Sequence, residues 1–213
     1  MNILLNNIIP FPIPEKDIEK SEIWNKTIEI NRSDKLMIYA DSGKGKTTLL
    51  NIIYGIRNDY AGEILIDNKN IRDFSNNDIS KLRKTQISFV PQGLFLFPEL
   101  SALENIKIKN KISNFKTDIE IAQLFETLNI QDVMNKKTGI LSYGQQQRVA
   151  IIRALCQPFE FIFLDEIFSH IDQNNAEIAW NLITTEVEKQ NAGIIFTSLG
   201  KEMSFGKLES IKI

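Results

Sequence analysis

The stretch at residues 40–50, ADSGKGKTTLL, constrains the fold of this chain more than any other feature of its sequence. A short apolar run, LMIY, precedes it at residues 36–39, and apolar residues at helical spacing follow it at Ile52, Ile53 and Ile56. This order predicts a strand, a tight loop and a helix that begins near Lys46.

The loop has the phosphate-binding spacing G-x-x-x-x-G-K-[ST], except that Ala40 stands at its first position. Its two glycines let the backbone bend so that successive N–H groups point at phosphate oxygens, and the start of the helix adds a positive dipole end. Lys46 is predicted to reach the β- and γ-phosphates, Thr47 to bind Mg²⁺ and Thr48 to contact the α-phosphate. The residues predicted to bind a polyphosphate nucleotide are Ala40, Asp41, Ser42, Gly43, Lys44, Gly45, Lys46, Thr47 and Thr48.

Amino-acid composition limits the size of the fold, the kinds of partner and the kinds of site that this chain can have. With 43% hydrophobic and 24% charged residues, the chain of 213 residues is expected to form one folded unit with room for a subdomain. Its net charge of −2 gives a nucleic-acid partner no electrostatic support. The single cysteine, Cys156, excludes an internal disulfide and is predicted to be a reduced, buried core residue. Because no segment approaches about twenty apolar residues, any membrane association is expected to come through a partner.

Apolar runs alternate with helical patterns in much of the chain. The runs at residues 87–90, 161–164 and 194–197 are compact and apolar, as in strands that are covered on both faces. Helical patterns at residues 145–157 and 176–189 predict crossovers between parallel strands. We therefore expect an α/β fold with a three-layer core and a mostly parallel sheet.

Two further parts are predicted outside this core. β-like segments at residues 3–9 and 27–30 indicate an N-terminal β part, and the charged stretch between them, at residues 15–22, is expected to be a loop. A helical pattern from residue 93 to about residue 139 indicates an inserted helical subdomain. A last strand is expected within residues 207–213. The predicted division is 1–92 for the first part of the core, 93–145 for the helical subdomain and 146–213 for the rest of the core.

The apolar strand at residues 161–164 ends in two acids, Asp165 and Glu166. In such an arrangement the first carboxylate faces Mg²⁺, usually through water, beside the phosphate loop. Glu166 then lies beyond the metal, where it can polarise an attacking water. The alternative is that the two acids only end the strand.

Two more motifs complete a recognisable set. Val90-Pro91-Gln92 follows a predicted strand, and LSYGQ at residues 141–145 continues as QQRVAIIRAL. Together with the phosphate loop and the double acid, in this order, they resemble the nucleotide-binding subunit of the ATP-binding cassette family, whose signature is LSGGQ. The resemblance covers nearly the whole chain. It implies a P-loop NTPase core with an N-terminal antiparallel β subdomain and an inserted helical subdomain.

The resemblance also implies roles in a head-to-tail dimer that closes around ATP and Mg²⁺. Ser142, Gly144 and Gln145 of one chain are expected to cover the γ-phosphate bound to Lys46 of the other. Asp172, in the contact loop at residues 169–172, is expected to help shape the partner's site, and His170 fills a variable position of that loop. The residues implied in catalysis are Glu166, Lys46 and Gln92, and those implied at the metal are Thr47, Gln92 and Asp165.

The chain departs from the family pattern at several positions. Tyr143 replaces the second signature glycine, where it either crowds the γ-phosphate or points outward, and Ile167 replaces a proline. The switch histidine of the family is expected at about Ser198, and its loss predicts hydrolysis that is slower by about 10²–10³-fold.

For stacking on adenine we favour Phe11 by its distance from the loop. Ile13 and Trp24 are the alternatives, and Trp24 is the one more suited to core packing.

These features favour an ATPase subunit that drives a separate membrane permease from the cytoplasmic face of the membrane. The run LFLF at residues 94–97 either borders the groove where a permease helix docks or packs inside the helical subdomain. An alternative function is a regulatory subunit that binds ATP and hydrolyses it weakly. A cassette protein acting on ribosomes or DNA is disfavoured, because basic arms and long insertions are missing from the sequence. A weaker similarity points to the lipoprotein-release, macrolide-export and cell-division group, and either a homodimer or a heterodimer is compatible with the motifs.

Overall fold

A computed structural model describes residues 1–168, 171–200 and 208–213. The described strands form two sheets, which we number with the helices in chain order. The antiparallel sheet has the strand order β2-β1-β4-β5 and consists of β1 (Asn2–Pro10), β2 (Thr27–Asn31), β4 (Tyr60–Ile66) and β5 (Lys69–Asn70). The parallel sheet has the order β6-β7-β8-β3-β9 and consists of β3 (Lys35–Tyr39), β6 (Ile87–Val90), β7 (Phe161–Asp165), β8 (Gly193–Ser198) and β9 (Glu209–Lys212).

Helices connect most of these strands. They are α1 (Glu15–Lys20), α2 (Lys46–Ile53), α3 (Asn76–Lys81), α4 (Ala102–Asn110), α5 (Asp118–Thr127), α6 (Tyr143–Leu155) and α7 (Gln173–Lys189). Short 3₁₀ turns lie at Ile71–Asp73, Gln131–Val133 and Thr138–Ile140, and a π-helical turn at Leu82–Gln86 leads from α3 into β6.

Side chains of the parallel sheet alternate between two hydrophobic clusters. In β7, Phe161 and Phe163 pack with the antiparallel sheet and α2, whereas Ile162 and Leu164 pack with α6 and α7 on the other face. The same alternation places Ile195 of β8 in the first cluster. Because both faces are covered, these strands are apolar at every position, and the predicted α/β fold with a mostly parallel sheet is confirmed.

The carboxyl ends of four parallel strands meet at one edge of the sheet. Tyr39 at the end of β3 lies in register with Ser198 at the end of β8, and Asp165 at the end of β7 lies in register with Thr197. β6 ends beside them, since Val90 pairs with Leu164. Parallel topology therefore brings together the loops that carry the predicted motifs, although they are far apart in sequence.

The charged stretch at residues 15–22 was expected to be a loop, and this prediction is wrong, because residues 15–20 form helix α1. Pro14 precedes the helix with φ −66°, acids occupy its first turn and Lys20 its last, an order that complements the helix dipole. Ile18 packs against the cluster of the antiparallel sheet. A helix of six residues with a single packed apolar side chain has too short a pattern to be recognised from periodicity.

The helical subdomain is continuous with the core in its packing. Ile106 of α4 and Phe125 of α5 belong to the same hydrophobic cluster as α6 and α7. Glu186 of α7, almost fully buried, also binds the ammonium groups of Lys116 at 2.7 Å and of Lys189 at 2.9 Å. Burial raises the pKa of Glu186, but these two partners outweigh burial and leave the pKa lowered. The division of the chain at residues 92 and 145 stays a prediction.

Cys156 lies at the end of α6 and is completely buried, as predicted. Burial raises the pKa of its thiol to about 12. A thiol with so high a pKa stays protonated at neutral pH and is a poor nucleophile, so Cys156 is a packing residue.

Candidate functional site

The predicted phosphate loop lies between β3 and α2. Gly45 has φ 99°, in the left-handed region that favours glycine, and a Cβ atom there would lie 2.9 Å from Cζ2 of Trp24. Trp24 is fully buried beneath the loop. The interpretation of Trp24 as a packing residue is thus supported, and the tryptophan also explains why position 45 tolerates no side chain.

A cavity of about 210 Å³ opens in front of the loop. Its lining combines the loop, the start of α2, a proline-rich segment after β1 and the ends of β6 and β7. The residues that line it are Pro10, Pro12, Ile13, Pro14, Ser42, Gly43, Lys44, Gly45, Lys46, Thr47, Thr48, Arg57, Gln92 and Glu166. Most of the predicted nucleotide-binding residues therefore share one cavity; Ala40, Asp41 and Phe11 do not line it.

Lys46 is held by three acceptors. Its Nζ donates to the carbonyl oxygens of Ala40 at 2.8 Å and Asp41 at 3.0 Å, and lies 3.1 Å from Oε1 of Glu166. The lysine side chain is only 3% exposed and the glutamate side chain 10% exposed. The cation predicted to bind phosphate and the carboxylate predicted to act as the base thus form an ion pair with each other.

Glu166 is positioned by its backbone and by a second side chain. It has φ 52°, and its N–H donates to Oγ1 of Thr197 at 3.0 Å. Gln92 donates from Nε2 to Oε2 of Glu166 at 3.2 Å. A non-glycine residue is uncommon at positive φ unless its surroundings hold it there, and here the neighbouring strand β8 provides the hydrogen bond that does so.

The surroundings of Asp165 suit a magnesium ion. Asp165 is fully buried, its Oδ1 accepts a hydrogen bond from the Thr197 hydroxyl at 2.7 Å, and its Oδ2 has no hydrogen-bond partner among the described residues. Burial raises the pKa of this carboxyl, against the opposing hydrogen bond from the Thr197 hydroxyl. An unpaired buried carboxylate oxygen near a threonine hydroxyl is the oxygen-only environment that Mg²⁺ prefers, with phosphate oxygens and water completing its coordination. The residues present therefore accommodate the ion.

The signature serine caps helix α6. The Ser142 hydroxyl accepts from the Gln145 N–H at 3.3 Å, and Oε1 of Gln145 accepts from the Ser142 N–H at 3.0 Å. Gly144 lies in the first turn of the same helix. The three residues expected to contact the nucleotide of a partner chain therefore lie together at one helix N-terminus.

Tyr143 makes a hydrogen bond that neither of the two sequence alternatives predicted. Its hydroxyl donates to the backbone carbonyl of Gln92 at 2.9 Å, within the same chain. The side chain that replaces a signature glycine thus bends back toward the end of β6. It links the signature helix to the residue that also binds Glu166.

The contact loop and the switch position have different surroundings. Asp172 is exposed and caps α7, where its Oδ1 accepts from the Asn175 N–H at 3.0 Å, and hydrogen bonds from Asn175 lower its pKa. Ser169 and His170 lie outside the described residues.

Ser198 is 6% exposed and its Oγ accepts from the Gly200 N–H at 3.4 Å, so its hydroxyl faces a local turn. It does not line the cavity.

Phe11 does not line the cavity, although Ile13 does. The Phe11 side chain is 52% exposed, while its carbonyl oxygen accepts from Arg57 at 2.6 Å. Stacking of Phe11 on adenine stays a prediction, and the lining supports the alternative, Ile13. Sequence reasoning missed Arg57 altogether, because it belongs to no motif and follows α2 in an irregular segment.

A second, apolar groove of about 300 Å³ lies between the core and the helical subdomain. In the run at residues 94–97, Leu94 and Leu96 pack into the core. Phe95 and Phe97 instead line the groove, and their side chains are 74% and 53% exposed. Each of the two sequence alternatives, packing and groove, therefore holds for half of the run. The groove is lined by Asn51, Tyr54, Ile56, Ser88, Phe89, Pro91, Phe95, Phe97, Asn105, Ile108, Lys109, Ile112, Arg153 and Ala154. Within the described residues, no helix has the length and apolarity needed to cross a membrane.

Comparisons with known proteins agree with this geometry. The lipoprotein-releasing system ATP-binding protein LolD of Buchnera aphidicola subsp. Schizaphis graminum (strain Sg) is 34% identical over 184 residues, which cover 84% of this chain and 80% of that protein. The molybdate/tungstate import ATP-binding protein WtpC of Thermococcus kodakarensis is 30% identical over 92% of this chain and 57% of its own length.

Two solved structures of one protein are also similar. The dimeric structure of MJ0796, described as a bacterial ABC transporter cassette, has a TM-score of 0.82 and 26% identity, covering 100% of this chain and 94% of that chain. Its dimer in a post-hydrolysis state with ADP and Pi has a TM-score of 0.76 and 28% identity, covering 93% and 88%. The family model described as ABC transporter matches residues 24–169. With this match, the similarity to LolD and three of the family's motifs at one cavity, the phosphate loop, Gln92 and Glu166, the chain belongs to the ABC transporter family.

Proposed function

We propose that this chain binds ATP with Mg²⁺ and hydrolyses it as the motor subunit of a membrane transporter. The observation that carries the proposal is the meeting of Lys46, Glu166 and Gln92 at one cavity beside Asp165. These groups supply a cation for phosphate, a base for water and a carboxylate for the metal.

The arrangement of the residues suggests the order of events in one chain. The phosphates of ATP compete with Glu166 for the ammonium of Lys46, and Glu166 then accepts a proton from water. The water oxygen attacks the γ-phosphorus, the bond to the β,γ-bridging oxygen breaks, and ADP and phosphate result. Gln92, which binds the Glu166 carboxylate at 3.2 Å, orients the base. Asp165 and Thr47 would hold Mg²⁺, which would supply positive charge to the β- and γ-phosphates.

A second chain is needed to complete the site. The capped N-terminus of α6, with Ser142 and Gly144, presents backbone N–H groups and a hydroxyl that suit a γ-phosphate held by another copy or a related subunit. Dimeric structures of MJ0796 support this assembly. We propose a head-to-tail dimer with two nucleotides at its interface.

The dependence of hydrolysis on protein concentration tests this proposal. We expect the rate per chain to rise with the concentration of purified protein, because dilution separates each site from the signature helix of its partner. Steady-state release of phosphate measures the rate. A rate per chain that is constant over a range in which sedimentation shows monomers changing to dimers would contradict the shared site.

We also propose that the apolar groove receives a cytoplasmic helix of a permease, which would hold the chain at the inner face of a membrane. The exposed rings of Phe95 and Phe97 provide the apolar contact. Lys109 lines the groove without an ion-pair partner among the described residues, and burial lowers its pKa, with Arg153 lowering it further. A carboxylate on the incoming helix would offset the positive charges of Lys109 and Arg153, which both line the groove. LolD, a relative named for a lipoprotein-releasing system, supports a role in transport.

Replacing both Phe95 and Phe97 with serine tests the groove. The double variant is expected to lose association with a co-expressed candidate permease and to keep its ATP hydrolysis in solution, because neither ring lines the nucleotide cavity. Co-purification in detergent and phosphate release measure the two properties. Ile119→Ser is the matched control, since Ile119 is 73% exposed on α5 and lies outside the groove. Unchanged association of the double variant would place the permease contact elsewhere.

Ser198 favours a second candidate function, that of a subunit that binds ATP and hydrolyses it slowly. Ser198→His is expected to raise turnover by up to about 10²-fold, because an imidazole reaches further than a hydroxyl and can donate to the γ-phosphate. Steady-state kinetics of Ser198→His beside Ser198→Asn, which adds bulk without a titratable group, measure the effect. Turnover by Ser198→His no higher than that of the unmodified chain would show that position 198 does not face the γ-phosphate.

A further inference from the structure

Tyr143 stands where the family signature has a glycine, and its side chain reaches the residue that contacts the proposed base. Its hydroxyl donates to the backbone carbonyl of Gln92 at 2.9 Å, and the Gln92 amide donates to Oε2 of Glu166 at 3.2 Å. Glu166 in turn lies 3.1 Å from Nζ of Lys46. Tyr143 does not line the nucleotide cavity of its own chain, so an effect on the chemistry there passes through Gln92.

Gln92 lies in a tight turn directly after β6. The N–H of Leu94 donates to the carbonyl of Pro91 at 2.9 Å, which makes Gln92 and Gly93 the two central residues of a β-turn. The hydrogen bond that closes this turn does not use the Gln92 carbonyl. Both central residues are exposed, so the packing of neighbouring side chains restrains the turn little.

The peptide between Gln92 and Gly93 has two orientations open to it. Type I and type II turns differ by a flip of this central peptide, which changes ψ of the first central residue and φ of the second. The flipped form of the type II turn needs positive φ at the second residue, which glycine adopts without strain. Gly93 does not have a positive φ in the structure. The Gln92 carbonyl therefore has one of two accessible orientations, and in this one it accepts the Tyr143 hydroxyl.

The orientation of this peptide matters for Gln92, because the rotamers open to a side chain depend on the backbone angles of its residue. The hydroxyl of Tyr143 favours one orientation by one hydrogen bond, which a glycine at position 143 has no side chain to make. The next part of the segment is fixed separately, since Arg153 donates to the carbonyls of Leu94 and Phe95. The turn at Gln92 is thus the part that depends on Tyr143.

We propose that Tyr143 is a positioning residue for ATP hydrolysis. Its hydroxyl locks the peptide between Gln92 and Gly93, and the locked turn keeps the Gln92 amide on the Glu166 carboxylate. The inference rests on the proposed ATPase function and adds to it a residue that acts through Gln92 without touching the nucleotide of its own chain.

Steady-state kinetics of Tyr143→Phe, which removes only the hydroxyl, test the inference. We expect kcat to fall by about 2- to 13-fold, the effect of one neutral hydrogen bond, and KM for ATP to stay unchanged. Rates are compared at protein concentrations where the rate per chain no longer rises, so that a change in dimer formation does not enter. The matched control is Tyr60→Phe, which removes a hydroxyl outside the nucleotide cavity and is expected to leave kcat unchanged.

Two further variants separate positioning from a loss of folded protein. Gly93→Ala makes positive φ costly, and its Cβ would lie 3.4 Å from the nearest atom of the Phe95 ring, an ordinary contact. Adding Gly93→Ala to Tyr143→Phe is therefore expected to restore kcat, because the flipped turn is then disfavoured without the hydroxyl. In a Gln92→Ala background, Tyr143→Phe is expected to have no effect on kcat, since the amide that it positions is gone.

An unchanged kcat in Tyr143→Phe would overturn the inference. An equal fall of kcat in the Gln92→Ala background would also overturn it, because Tyr143 would then act on folding or on the dimer. Failure of Gly93→Ala to restore kcat would overturn the locking of the peptide. Absence of ATP hydrolysis by the unmodified chain would instead overturn the proposed function on which the inference rests.

Discussion

Glu166→Gln is expected to slow ATP hydrolysis by about 10²–10⁴-fold while ATP still binds. An amide keeps the size of the carboxylate but cannot take a proton from water. The substitution also removes the negative charge that lies 3.1 Å from Lys46, so the ammonium is free for phosphate oxygens. Slow hydrolysis and undiminished binding together are expected to accumulate an ATP-bound dimer.

Phosphate release and sedimentation in ATP with Mg²⁺ measure the two effects. The matched control is Glu188→Gln, which removes an exposed carboxylate paired with Lys35 on the far part of α7 and is expected to leave the rate unchanged. Hydrolysis by Glu166→Gln at the rate of the unmodified chain would show that another group is the base. A slow variant that remains monomeric in ATP would instead contradict the dimer.

Lys46→Ala is expected to lower the affinity for ATP and ADP by about 10²-fold or more, because charge-assisted hydrogen bonds to phosphate are lost. The expected loss of nucleotide affinity is larger than the removal of one hydrogen bond would cause. Without the ammonium, the negative charge of the Glu166 carboxylate, which is only 10% exposed, repels the incoming phosphates. The loop also loses the bonds from Lys46 to the carbonyls of Ala40 and Asp41.

Titration followed by tryptophan fluorescence measures this affinity, since Trp24 packs directly under Gly45 of the loop. Lys69→Ala is the control, because it removes an exposed lysine that is paired with Asp78 outside the cavity. The thermal unfolding temperature of the Lys46 variant shows whether the change in the loop also lowers the stability of the whole fold. Tight ADP binding by a folded Lys46→Ala chain would show that the phosphates bind elsewhere.

The local motifs could be predicted from the sequence because each depends on neighbours in the chain. Glycines and a lysine at fixed spacing between a strand and a helix specify a phosphate loop. The serine and glutamine of the signature cap their own helix, as the hydrogen bonds between Ser142 and Gln145 show. The apolar strands and the fold class follow from the same local patterns, and both are confirmed. The weaker similarity to the lipoprotein-release group is confirmed by the LolD relatives.

The contacts between motifs could not be predicted in this way, because they join residues that are distant in sequence. Helix α1 was missed for lack of a long pattern, and the run at residues 94–97 was divided between core and groove by packing alone. Tyr143 could be read only as a departure from a signature until its hydroxyl was seen on the Gln92 carbonyl. The roles assigned to the site residues stay predictions for the experiments above.

The sequence alone therefore determined the chemical groups of this protein, the order of its main strands and longer helices, and the family that it resembles. Only the tertiary structure decided which groups touch: Lys46 with Glu166, Gln92 with Glu166 and Tyr143, and Arg57 with Asp59 at the rim of the cavity. The physical reason is that secondary structure is governed by periodicity and capping over a few residues. The distances between side chains at a sheet edge, in contrast, are set by strand order and register, which depend on the packing of the whole chain.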